Sequence, residues 1–120
     1  MVRLVESVCA KVQLKPGSVE RAREWAAELT RRADEVLASL RDQRVAVESV
    51  FLDRTGEGDF LIYHLRAESL AGAGELVQRS SHAIDAYHQK FKPENWESRT
   101  PLELLIDLEN LGSRFCGPER

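Results

Sequence analysis

The chain changes its hydrophobic period in a definite order, and that order constrains the fold more than any single residue. Val8, Ala10, Val12 and Leu14 alternate with Ser7, Cys9, Lys11 and Gln13, a period of two that reads as a strand. Lys15-Pro16-Gly17 breaks it. Ser18 then stands as an N-cap with Glu20 in the first turn. Val19, Ala22, Trp25, Ala26, Leu29, Ala33, Val36, Leu37 and Leu40 recur at helical spacing, which predicts one amphipathic helix from about Val19 to Arg41. Residues 45–52 and 60–67 read as two further strands. Polar Asp53–Asp59, with its two glycines, joins them as a hairpin with a medium loop. Ser69 caps a second helix running to about Ser80, with Leu70, Ala73, Leu76 and Val77 inward. Ile84, Tyr87, His88 and Phe91 predict an extra short helix between Ser81 and Lys92, ended by Pro93.

Glu94 to Arg99 reads as a connector holding Trp96. Leu102–Glu109 fits two periods. Leu102, Leu104, Ile106 and Leu108 suit a strand, whereas Leu104, Leu105, Leu108 and Leu111 suit a helix, and Thr100-Pro101-Leu-Glu103 resembles a helix start. The preceding order, β-α-β-β-α-α, decides for a strand. A fourth strand completes the βαββαβ unit of a ferredoxin-like plait, an α+β fold in which strand one pairs centrally. One domain is expected over residues 1–112, with 113–120 as a flexible tail.

In such a plait the helices cover one face of the sheet, and the other should be polar where it meets water. Here strand three sets Phe60 and Ile62 against Leu61, Tyr63 and Leu65, and strand two sets Val45, Val47 and Phe51 against Ala46, Val50 and Leu52. A sheet apolar on both faces needs a second cover, and a second copy of the chain supplies it, so a two-fold homodimer with sheets face to face is expected.

Seventeen Lys+Arg against twenty Asp+Glu give a net charge of −3. That argues against nucleic acid and anionic membranes as partners. The arginines of the long helix alternate with acids and read as a solvated face. No run of about 18 apolar residues is present for a membrane span. The first residues lack the apolar stretch of a signal peptide. Cys9 and Cys116 make no disulfide framework, so a cytoplasmic setting is the expectation.

Lys15-Pro16-Gly17, Val47-Glu-Ser-Val-Phe-Leu52, His82-Ala-Ile-Asp85-Ala-Tyr-His88, Trp96 and Pro101-Leu-Glu-Leu-Leu-Ile-Asp-Leu-Glu109 together resemble an uncharacterised bacterial family of the dimeric α/β-barrel superfamily. The resemblance reaches to about Asn110 and implies fold rather than activity. The wider superfamily includes cofactor-free monooxygenases, sugar mutarotases and stress-responsive binding proteins. The layout, a hairpin before a short helix bearing His and aromatics, is similar to the mutarotases, but no mutarotase motif transfers residue by residue.

His82-x-x-Asp85-x-x-His88 is the one titratable cluster at helical spacing. Asp85 can touch either histidine, while the two histidines lie about 120° apart around the helix and cannot readily share a ligand. Asp85 and His88 could act as an orienting carboxylate and a general base. Equally, Asp85 could simply favour the helix dipole and His88 be a satisfied core histidine. His64 and Tyr63 on strand three, His82, and Trp96 are the other candidate ligand contacts. Gly72-Ala-Gly74-Glu-Leu-Val77 lacks the third glycine of a dinucleotide fingerprint. No Cys-x-x-Cys, His-Glu-x-x-His or phosphate loop is present, so no cofactor and no metal are expected. The function these residues suggest is small-molecule binding by a dimer. The alternative is a cofactor-independent isomerase or monooxygenase that uses the His/Asp pair.

Overall fold

A computed structural model describes residues 6–110, except the side chains of residues 74, 77 and 78. The elements run β1 (Glu6–Leu14), α1 (Val19–Arg31), α2 (Ala33–Gln43), β2 (Val45–Thr55), β3 (Gly58–Ala67), α3 (Leu70–Gln78), α4 (Ala83–Asn95) and β4 (Trp96–Pro101). They form a four-stranded antiparallel sheet of order β2-β3-β1-β4, with β1 inside. This is the ferredoxin-like α+β plait.

The parity of β1 holds as read. Ala10, Val12 and Leu14 are buried beneath the helices. Leu61 and Tyr63 of β3, Ala22 and Trp25 of α1 and Phe91 of α4 complete the core with them. Trp25 stacks on Phe91 with ring centroids 4.6 Å apart.

Five local expectations change. The fourth strand is Trp96–Pro101, not Leu102–Glu109, which has no regular structure. α4 runs into β4 without a loop, and Asn95 C=O accepts from Lys15 N–H at 2.8 Å, so the ladder on β1 starts at Trp96. β4 is an edge strand with most of its residues in water, so it never needed the alternation that marks a half-buried strand. Second, the long helix breaks at Arg32 (φ −106°, ψ 35°). No Gly or Pro signals this. Arg32 pairs with Glu28 and Glu35 across the break. Leu37 ends 50% exposed while Ser39 is buried. Third, α4 continues past Pro93 to Asn95.

Fourth, the hairpin is tight. Thr55 pairs with Gly58, leaving only Gly56 and Glu57 as the turn. Thr55 Oγ1 donates to Gly58 C=O at 2.8 Å and accepts from Glu57 N–H. Gly58 has φ +143°, a conformation side chains rarely adopt, and an added Cβ would lie 3.1 Å from Gln13 Nε2. A register shift between Val45 and Val47 also turns Val45 to the helix side, away from the parity its neighbours suggest. The expected tail 113–120 and Cys116 lie outside the described residues.

Candidate functional site

A cleft of about 190 Å³ opens between the sheet and helices α2, α3 and α4. Leu29, Val36, Leu40, Leu65, Leu70 and Ile84 form its apolar walls. Ser39 and Gln43 from α2, Glu48 from β2, and Asp85, His88, Gln89 and Lys92 from α4 give its polar groups. His88 and Lys92 are one helical turn apart, so α4 presents both to the same side. Glu48 pairs across the sheet with Leu65 and shares the covered face with Val50 and Leu52.

His88 stacks on Trp25 with centroids 5.3 Å apart. Trp25 Nε1–H donates to His88 Nδ1 at 3.2 Å. Nδ1 is therefore unprotonated, and the neutral ring carries its proton on Nε2. Burial, reinforced by the Lys92 charge and partly opposed by Asp85, holds the imidazole pKa down at about 4. The ring is thus a neutral hydrogen-bond donor at physiological pH.

Glu48 keeps contact with solvent through the mouth of the cleft, yet its surroundings raise its carboxyl above the usual range. Desolvation is the main cause, with Lys92 lowering it and Asp85 raising it. Desolvation also lowers Lys92. Three groups of different type, all displaced by low polarity, therefore meet at one opening.

Asp85 does not bond to His88. It accepts from Ser39 Oγ and Ser80 Oγ, each at 2.5 Å, and Gln43 Nε2 donates to Ser39 at 2.6 Å. This network ties α4 to α2 across the cleft. Ser39→Ala removes a buried donor to a carboxylate and should cost about 1–3 kcal/mol, read as a lower thermal midpoint. A midpoint unchanged within error would show that the network contributes no net stability.

The remaining expected site residues scatter. Tyr63 is buried in the core beside the cleft, its phenol pushed up by burial and by the Glu48 charge. Tyr63 and Trp96 meet edge-on with centroids 5.2 Å apart, and the Trp96 indole N–H beside the phenol partly offsets the rise in its pKa. His82 pairs with Asp42 at 2.7 Å and fastens the start of α4 to the end of α2. His64 lies on the opposite sheet face, its Nε2 3.1 Å from Ser7 Oγ. The structure thus brings His88 and Asp85 to the cleft, sets Tyr63 and Trp96 beside it, and leaves His82 and His64 elsewhere.

Glu48 and Lys92 are the residues that sequence reasoning passed over. Both carried a signal: a carboxylate at the covered parity of β2, and a lysine one turn after His88. Among the described residues, no three His, Cys, Asp or Glu side chains converge as metal ligands, and no helix is long and apolar enough to cross a membrane.

The architecture is shared with solved structures. The L-rhamnose mutarotase of Formosa agariphila is 18% identical, covers 87% of this chain and 99% of its own, and gives a TM-score of 0.59. A Bacteroides thetaiotaomicron protein of unknown function, described as a possible oxidoreductase, is 18% identical over 86% of this chain and 100% of its own, with a TM-score of 0.54. Rv0793 of Mycobacterium tuberculosis, 17% identical, covers 88% of this chain and 98% of its own at 0.51. At these identities the likeness is one of fold. No curated protein matches the sequence. Residues 5–113 match the family of unknown function DUF6176, and the chain, matched over nearly its whole length, belongs to that family.

Proposed function

We propose that this protein is a cytoplasmic homodimer that binds a small polar molecule in the cleft between α4 and β2. The observation that carries the reading is the convergence of Glu48, His88 and Lys92 at one opening with apolar walls. The volume suits a ligand no larger than a monosaccharide. The donors and acceptors are mixed: an imidazole N–H, an ammonium, the Gln43 and Gln89 amides and the Glu48 carboxyl. Such a set matches a neutral polyhydroxylated compound, whose hydroxyls both donate and accept. The free thiol of Cys9 agrees with a reducing compartment.

A second reading has one observation in its favour. A neutral imidazole donor faces the same cleft as a carboxyl with a raised pKa, the combination that acid–base catalysis near neutral pH requires. Ring opening and closure of a sugar breaks and re-forms its own C1–O5 bond and needs no cofactor. In that reading the Glu48 carboxylate takes the proton of the anomeric hydroxyl as C1=O forms and C1–O5 breaks, His88 Nε2–H steadies the negative charge developing on the ring oxygen, and the proton then passes from Glu48 to that oxygen; closure on the other face of the carbonyl runs the same steps in reverse.

Ligand-observed NMR with a panel of aldoses, L-rhamnose among them, and small hydroxy acids tests the binding. One or more should bind, and Glu48→Gln should weaken that binding about tenfold or more. Binding of none would overturn the reading. Anomer exchange followed by NMR with the bound sugar then separates catalysis from binding.

A further inference from the structure

Lys11, Lys15, Lys90 and Lys92 are the lysines of this chain, and of these Lys92 alone lines the cleft. Lys11 lies over the Phe60 ring, Lys15 donates to Pro93 C=O at 2.8 Å, and Lys90 is exposed. Lys92 is half-buried, and among the described residues its Nζ makes no hydrogen bond and no ion pair. The neighbour of the amine is the face of the Trp96 indole, with Nζ 5.3 Å from the ring centroid. An ammonium that gives up water without gaining an acceptor is disfavoured against the free amine. Burial is accordingly the main influence on Lys92, the Glu48 charge opposes it, Arg99 adds to it, and the balance lowers its pKa.

The groups around this amine are those that carbonyl capture uses. A free amine is a nucleophile toward an aldehyde, and capture needs a second group that gives and takes protons in turn. Glu48 faces the same opening, and desolvation makes it hold a proton more readily than an exposed carboxylate does. His88 presents its neutral N–H one turn before Lys92 on α4. Leu40, Leu65 and Ile84 wall the cleft and keep bulk water from it, which favours a reaction that expels water.

We infer that the cleft captures the open-chain aldehyde of a small hydroxyaldehyde or aldose as an imine on Lys92 Nζ. This rests on the small-molecule cleft proposed above and names the reactive group of its ligand. The Nζ lone pair attacks the aldehyde carbon while the Glu48 carboxyl gives its proton to the carbonyl oxygen. Glu48 then takes a proton from the nitrogen of the adduct and returns it to the new hydroxyl, which leaves as water as the C=N bond forms. The product is a protonated imine beside the Glu48 carboxylate. Its positive charge stays over the Trp96 indole, where a cation is favoured. Nothing is oxidised or reduced, and the reverse steps release the aldehyde.

Glyceraldehyde with sodium cyanoborohydride near neutral pH tests it, because reduction fixes an imine as a secondary amine that mass spectrometry can locate. At short times, peptide mapping of the unaltered chain should find the adduct on Lys92 about tenfold or more ahead of Lys11, Lys15 and Lys90. An adduct spread evenly over the lysines would overturn the inference, and that map needs no variant. Lys92→Met should remove the fast adduct, whereas Lys90→Met should keep it. Glu48→Gln separates proton transfer from charge. Loss of the carboxylate frees the amine further, so a role in charge alone predicts faster trapping, while proton transfer predicts trapping slowed about tenfold or more. Unchanged or faster trapping would overturn the part assigned to Glu48. An aldose that binds by NMR, with no adduct favoured at Lys92, would overturn the capture alone. Failure of both would overturn the cleft reading with it.

Discussion

Phe91→Ala should bring the protein close to unfolding. Phe91 is fully buried, stacks on Trp25 and belongs to the cluster that joins α1, α4 and the sheet. Truncating a buried Phe costs about 3–5 kcal/mol through lost transfer energy and the cavity left behind. A domain of this size has roughly 5–15 kcal/mol in total. The thermal midpoint should fall by about 15 °C, with a matching drop in the urea midpoint. The effect reaches the site because Trp25 both stacks on Phe91 and donates to His88. Loss of the ring frees the indole, and His88 should titrate closer to an ordinary histidine. A fall of less than about 1 kcal/mol would mean that Phe91 is not central to the core.

Acid should destabilise the protein well above the pH at which ordinary carboxylates titrate, and His88 is the reason. Its pKa is about 4 in the fold, against 6.5 for the unperturbed ring. Between those values the unfolded chain binds a proton that the folded chain refuses. Stability therefore rises with pH across that window and is lost as pH falls from about 6.5 to 4. The full shift corresponds to about 3–4 kcal/mol, of which most is lost by pH 4. Glu48 acts with the opposite sign: its raised pKa contributes stability at low pH that is lost as pH rises through the raised value. Comparing the full chain with His88→Gln isolates the histidine, since the amide oxygen can still accept from Trp25 without titrating. The full chain should lose about 2–3 kcal/mol more than the variant between pH 7 and pH 4 in chemical denaturation. Parallel pH profiles would show that the imidazole is not the titrating group.

The parts of the fold that were legible in the sequence are those where one face is buried and the other wet. β1 reads correctly because Ala10, Val12 and Leu14 must face the helices while Ser7, Lys11 and Gln13 need not. Trp25 and Phe91 were legible as core for the same reason. The last element was not. Leu102–Glu109 has the composition of a buried segment and none of its burial within the chain, whereas β4 has the composition of a connector and pairs with β1 from Trp96 to Pro101, skipping Glu97 at a register shift. An edge strand draws its stability from backbone hydrogen bonds, and these leave no trace in side-chain hydropathy.

The site divides along the same line. Spacing alone could say that Asp85 and His88 share a side of α4. It could not say that Asp85 is spent on Ser39 and Ser80, or that the partner of His88 is Trp25, 63 residues away in sequence. Nor could it bring Glu48 from β2 to Lys92, since that meeting depends on the break at Arg32 and on the register of β2 against β3. Periodicity, cap residues and turn residues act over a few neighbouring positions, so the sequence by itself determined the first three strands, the ferredoxin-like class and the face that β1 buries. The tertiary structure alone decided which polar groups converge in the cleft and which apolar segment stays uncovered. Long-range packing sets those outcomes, and it chooses among partners that local chemistry leaves equivalent.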